Sequence, residues 1–197
     1  MIFEQYAPKV IGFEDNPNHK KLEKKLINVC TKLKKEIKTG GNDWISKETY
    51  NTSNSDKFNI HTDKRFKPLF DWVLNSVVSY AENLNYETNF KCVDSWFNIY
   101  NKYDYQEYHS HSSTALSAVY FLKSNPEKSS RIFFRVDREP IPIDPIIKSR
   151  NNISCSTVWY KPIPGRLLIF RSDLSHCVER SNEDDSRISL AFNFSNK

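Results

Sequence analysis

The stretch Arg187-Ile-Ser-Leu-Ala-Phe-Asn-Phe194 alternates strictly, and its alternation sets the fold class. Side chains of a strand point to opposite faces in turn. Ile188, Leu190, Phe192 and Phe194 therefore make one apolar face. Arg187, Ser189, Ala191 and Asn193 make the other. Upstream, the texture is the same from residue 89 onward: short β-rich runs bounded by turn residues. Strands are expected near Phe90–Tyr100, Asp104–His111, Ala115–Leu122, Arg131–Val136, Ser156–Ile163, Arg166–Arg171, Cys177–Arg180 and Arg187–Phe194. Eight short strands at this spacing predict a sandwich or barrel. Pro164-Gly165 marks a tight turn between two of them. Asp137–Asn152 carries Pro140, Pro142 and Pro145 and reads as a loop over one end of the barrel.

The first half reads differently. After an extended lead-in with an edge strand around Lys9–Phe13, Leu22, Leu26, Val29, Cys30, Leu33 and Ile37 recur at three- and four-residue steps. They predict a helix over Asn18–Thr39, stopped by Gly40 and Gly41. Phe70, Val73, Leu74, Val77, Val78 and Ala81 predict a second helix over Pro68–Asn83. Residues 42–65 are polar and irregular, with Trp44 and Tyr50 as anchors. The expected organisation is one domain over 1–197, with helical support in 1–88 and a barrel core in 89–197.

Composition sets limits. The chain has 197 residues, 38% of them hydrophobic, which suits a globular core. No apolar run reaches the ~20 residues of a membrane helix, and no signal peptide or anchor is read. The net charge of +5 is mild, and eight lysines lie between Lys20 and Lys38 on what reads as a solvated helix face. A nucleic-acid footprint needs arginines and aromatics interleaved on one surface, which that segment lacks, so no nucleic-acid partner is expected. Cys30, Cys92, Cys155 and Cys177 form no CxxC pair. They read as free thiols in a reducing cytosol, which places the protein in the cytoplasm, or a host's cytoplasm if phage-encoded.

Five histidines are present. His19 and His61 are assigned no role. His109 and His111 stand two apart in an expected strand, so both point to one face, close enough to share a metal. His176 follows the apolar run Gly165–Phe170 as a third ligand on a later strand. The polar face of Arg187–Phe194, if turned inward, is a prepared anion site. A guanidinium takes a carboxylate through two parallel hydrogen bonds, and Ser189 adds a donor. Turned outward, the same face is simply solvated.

In order, Trp96-Phe-Asn98, His109-Ser-His111, Leu116–Leu122, Pro164–Phe170, His176 and Arg187–Asn193 resemble the iron(II)/2-oxoglutarate oxygenases, in particular a branch found in bacteria and phages. The resemblance covers residues 90–195. It implies a mainly β chain with N-terminal helices (α+β), a double-stranded β-helix of jelly-roll or cupin-like form supported by two helices. It implies Fe(II), 2-oxoglutarate and O2, with ascorbate in a supporting part, and hydroxylation of an unidentified small-molecule or peptidyl substrate. Iron would sit on His109, His111 and His176. The far carboxylate of 2-oxoglutarate would reach Arg187 and Ser189, helped by Tyr120, with Asn98 and Asn193 in the pocket. One departure stands out: the family usually has a carboxylate where this chain has His111. Glu107 is the reserve ligand. A cupin-like three-histidine dioxygenase without 2-oxoglutarate and a non-catalytic phage or ligand-binding barrel are the rival readings. Oligomeric state stays open, a homodimer included.

Overall fold

The computed structural model describes residues 2, 8–40, 44–53, 55, 58–136, 146, 148–149 and 155–197. In chain order its elements are β1 (Ile11–Asp15), α1 (His19–Glu36), β2 (Tyr50–Asn51), a 3-10 turn (Ile60–Thr62), α2 (Lys67–Asn83), β3 (Phe90–Tyr100), β4 (Gln106–His109), β5 (Leu116–Lys123), β6 (Ile132–Arg135), β7 (Thr157–Tyr160), β8 (Arg166–Arg171), β9 (His176–Val178) and β10 (Arg187–Asn196). The eight strands expected after residue 88 are all present. The expected loop Asp137–Asn152 lies almost wholly outside the described residues.

Two antiparallel sheets face each other. The larger runs β1-β8-β5-β10-β3-β2 and the smaller runs β4-β9-β6-β7. This is the double-stranded β-helix, mainly β with two supporting helices. The alternation of β10 decides how it packs. Leu190 and Phe192 join Leu116, Ala118, Tyr120 and Leu122 of β5 in the main core, under Leu26, Cys30 and Leu33 of α1 and Val73 and Val77 of α2. On the other side, Phe121, Leu168 and Phe170 of the large sheet meet Ile132 and Phe134 of the small one. The strand is thus buried on both faces from Arg187 to Phe194, and the polar face points into the barrel instead of into water.

One glycine does work that differs from expectation, and another does the work expected of it. Helix α1 ends at Glu36, and its cap Ile37 is already extended, so Gly40 does not terminate it. Gly40 is needed because a Cβ there would lie 1.9 Å from the Ser53 carbonyl oxygen; its N–H bonds Asn51 O at 2.8 Å. Gly41 lies outside the described residues. Gly165, by contrast, is the predicted turn: its φ is +89°, and an added Cβ would press on the His19 ring at 2.8 Å. All four cysteines are free. Among the described residues, no helix is long and apolar enough to cross a membrane.

Candidate active site

Antiparallel pairing of β4 with β9 puts His109 directly opposite His176. His111 follows just past the end of β4, fixed by its N–H to Ser172 O at 2.8 Å. The three ligand atoms lie within 4.8 Å of one another. The His109 and His176 ring centroids are 4.3 Å apart, and His111 stands 5.0 Å from His109 and 5.3 Å from His176.

Backbone carbonyls orient two of the rings. His109 Nδ1 lies 2.8 Å from Glu107 O and His176 Nδ1 lies 2.9 Å from Leu174 O. A carbonyl only accepts, so each Nδ1 carries the proton and each Nε2 lone pair is left bare for a metal. His111 has the Trp96 ring beside it at 5.5 Å. Phe134 and Phe170 back His176. Burial lowers the pKa of all three imidazoles, His111 to about 4 and His176 well below its ordinary range. Neutral imidazoles are the form that ligates.

The wall of the same cavity carries a buried cation. Arg187, opposite Tyr100, is 1% exposed, with its guanidinium 4.7 Å over the Tyr100 ring and 5.2 Å from that of Phe121. Its Nε, Nη1 and Nη2 have no hydrogen-bond partner among the described residues. A buried cation with no acceptor is costly unless something arrives to accept. Burial lowers its pKa, against the opposing pull of Tyr100 and Glu179. Burial likewise pushes the Tyr100 hydroxyl up to about 12, so it stays a donor. Ser189, Asn98 and Gln106 line the same space.

The expected residues sort as follows. His109, His111, His176, Arg187, Ser189 and Asn98 line one cavity. Asn193 shares the inner face, but its Oδ1 accepts from Ser117 Oγ at 2.8 Å and it is not on the cavity wall. Tyr120 is a correction. It falls on the helix-facing side of β5, its hydroxyl 2.8 Å from His19 Nδ1 and its ring 5.9 Å from Trp72, while its neighbour Val119 faces the cavity. Glu107 is a second correction, for it is outside the metal cluster and its carboxylate is taken by the loop Trp44–Ser46. His19 and His61 are structural, the latter bound to Ser95. Tyr100 was overlooked, although it follows Trp96 and Asn98 at strand spacing and so shares their face. Trp44 could not have been placed on the site from sequence, because it lies far from every other wall residue.

A β-barrel with three clustered imidazoles and an unanswered buried guanidinium defines a non-haem metal enzyme that takes an anionic co-substrate. The family model described as "Putative 2OG-Fe(II) oxygenase" matches residues 94–193, and the chain belongs to that family. It is therefore an iron(II)- and 2-oxoglutarate-dependent oxygenase, an oxidoreductase whose reaction uses Fe(II), 2-oxoglutarate and O2. That membership sets aside both rival readings. Solved structures share the fold. A prolyl-4-hydroxylase from Pseudomonas putida is 12% identical, with TM-score 0.67, over 97% of this chain and 95% of that one. The 2-oxoglutarate-dependent epimerase SnoN of nogalamycin biosynthesis is 12% identical, with TM-score 0.68, over 97% and 78%. The viral collagen prolyl hydroxylase of Paramecium Bursaria Chlorella virus-1, solved with 2-oxoglutarate, is 11% identical, with TM-score 0.60, over 96% and 97%. No curated protein matches the sequence.

Proposed function

We propose that this oxygenase is a hydroxylase whose iron is held by His109, His111 and His176. Arg187, Ser189 and Tyr100 would receive the far carboxylate of 2-oxoglutarate. The observation that carries the reading is Arg187: buried, cationic and without an acceptor, on the wall of the same cavity as the three clustered imidazoles. Val178, two residues of strand beyond His176, lines the same cavity as Arg187.

Iron and 2-oxoglutarate supply the oxidising chemistry with O2; the chain supplies ligands, orientation and exclusion of water. His109 and His176 present Nε2 with no rotational freedom to spare, because their Nδ1 protons are bonded to the backbone. Arg187 and Tyr100 fix the co-substrate's far end, so its other end meets the metal in one pose. Val119, Ala191 and Ile132 keep the walls apolar. With His111 in place of a carboxylate the ligand set is neutral, so the centre carries one more positive charge than a two-histidine, one-carboxylate face.

Neighbours of the fold named as acting on peptides and on small molecules support a peptidyl or small-molecule substrate. The helices and the barrel share the main core, which supports one domain over 1–197. Four free thiols support a reducing compartment, the cytoplasm of the source cell or of a phage's host.

The test is turnover without prime substrate. Protein reconstituted with Fe(II) and ascorbate is expected to convert 2-oxoglutarate to succinate slowly. Absence of both succinate and 2-oxoglutarate binding would overturn the assignment of Arg187 and the three histidines.

A further inference from the structure

The segment from Trp44 to Thr49 forms no helix or strand, yet it sits against the metal-binding strand. Trp44 stacks on the His109 imidazole, with centroids 6.5 Å apart and planes inclined by 27°, and it forms part of the cavity wall beside all three histidines. The next side chain, Ile45, is 75% exposed and adds no buried anchor to the segment. What holds it is Glu107. Ile45 N–H donates to Glu107 Oε1 at 2.8 Å, Ser46 Oγ donates to Oε2 at 2.7 Å and Ser46 N–H to Oε2 at 3.3 Å. Thr49 Oγ1 adds a bond to Tyr105 O at 2.7 Å. Among the described residues no ion pair uses Glu107, so these donors are its hydrogen-bond partners, while its charge also acts on His109. Burial raises its pKa, but the bonds from Ser46 and Ile45 outweigh that and hold it below the usual range. The same residue's carbonyl takes the Nδ1 proton of His109.

We infer that Glu107 is a positioning residue that holds Trp44 as a roof over the metal-binding histidines, and that this roof limits the access of water and chelators to the metal. Glu107 thus links two things through one residue: its backbone aims the His109 ring, and its carboxylate covers that ring. The inference rests on the three-histidine centre proposed above.

Cobalt(II) release from the loaded full-length protein into excess chelator tests it, read by the visible spectrum of the bound ion. Removing groups that support a metal ligand typically costs 10- to 100-fold in metal affinity. E107A and W44A are each expected to release cobalt about tenfold faster than wild type. The bound spectrum should not change, because all three ligands remain. The double variant should be no faster than the faster single one, since both remove the same roof. S46A, which leaves Glu107 in place, should speed release by a smaller factor. If E107A fails to fold, E107Q and S46A carry the comparison. Wild-type release rates in E107A or E107Q would overturn the proposal, as would effects of W44A and E107A that multiply. Failure of wild type to take up any cobalt is a different result: it overturns the three-histidine reading itself.

Discussion

The two faces of the large sheet are equally dry and chemically opposite. On the helix side, Tyr120 is fully buried and satisfied, its hydroxyl bonded to His19. On the barrel side, Arg187 is as deeply buried, yet Trp96 Nε1, Asn98 Oδ1, Gln106 Oε1 and all three guanidinium nitrogens lack partners. A folding core completes its polar groups internally, because an orphan costs roughly 1–3 kcal/mol. A binding cavity leaves them for the ligand. Unanswered groups occur on the helix side too, at His19 Nε2 and Asn16 Nδ2, so what marks the site is six such atoms gathered around one cavity.

The sharpest way to break that contrast is at the metal end. H176A is expected to lose stoichiometric Fe(II) and all succinate formation, measured by metal analysis and product assay. At the anionic end, R187A should keep its iron and raise the 2-oxoglutarate concentration needed for half-maximal turnover about 100-fold or more, the worth of two charge-assisted bonds. The unbranched, apolar R187M should melt no lower than wild type without co-substrate, because replacing an unpaired buried cation by an apolar side chain removes a cost. A clear loss of stability in R187M would mean the guanidinium is satisfied in the resting protein.

A pair of matched tyrosine variants puts the two faces side by side. Y100F should weaken 2-oxoglutarate binding about fivefold, one neutral hydrogen bond, and leave the melting temperature unchanged. Y120F should do the reverse, lowering the melting temperature by about 2–4 °C with 2-oxoglutarate affinity intact. Exchange of those outcomes would reverse the assignment of faces.

The last effect is with pH. Burial lowers the pKa of all five histidines below 6.5, and of His111 to about 4. Between these values the unfolded chain binds more protons than the folded one. Stability of the metal-free protein is thus fully present above pH 6.5 and falls progressively toward pH 4, measurable as a declining melting temperature.

Much of this was legible in the residues. Both helical stripes, the eight barrel strands, the Gly165 turn and the histidine triad followed from periodicity. Alternation also grouped Arg187 with Ser189. What alternation cannot tell is which of two apolar faces is the inner one. In β5 both faces are apolar, so Tyr120 was placed on the wrong side. Gly40 looked like a helix stop because its true constraint, the Ser53 carbonyl, comes from a distant turn. Trp44 and Glu107 escaped for the same reason, since their partnership joins a loop to a strand 62 residues away.

The pairing of β4 with β9 slips between Gln106 and His109. Two residues separate these side chains, yet both line the cavity, one toward the anion and one toward the metal. A regular strand would turn one of them out to solvent. The bulge is what lets an odd separation face one way. Deleting a single residue between Gln106 and His109 would restore tidy pairing with both side chains still turned inward, so facing is not what the extra position is for: it makes room for Glu107, whose carboxylate holds the loop that carries Trp44.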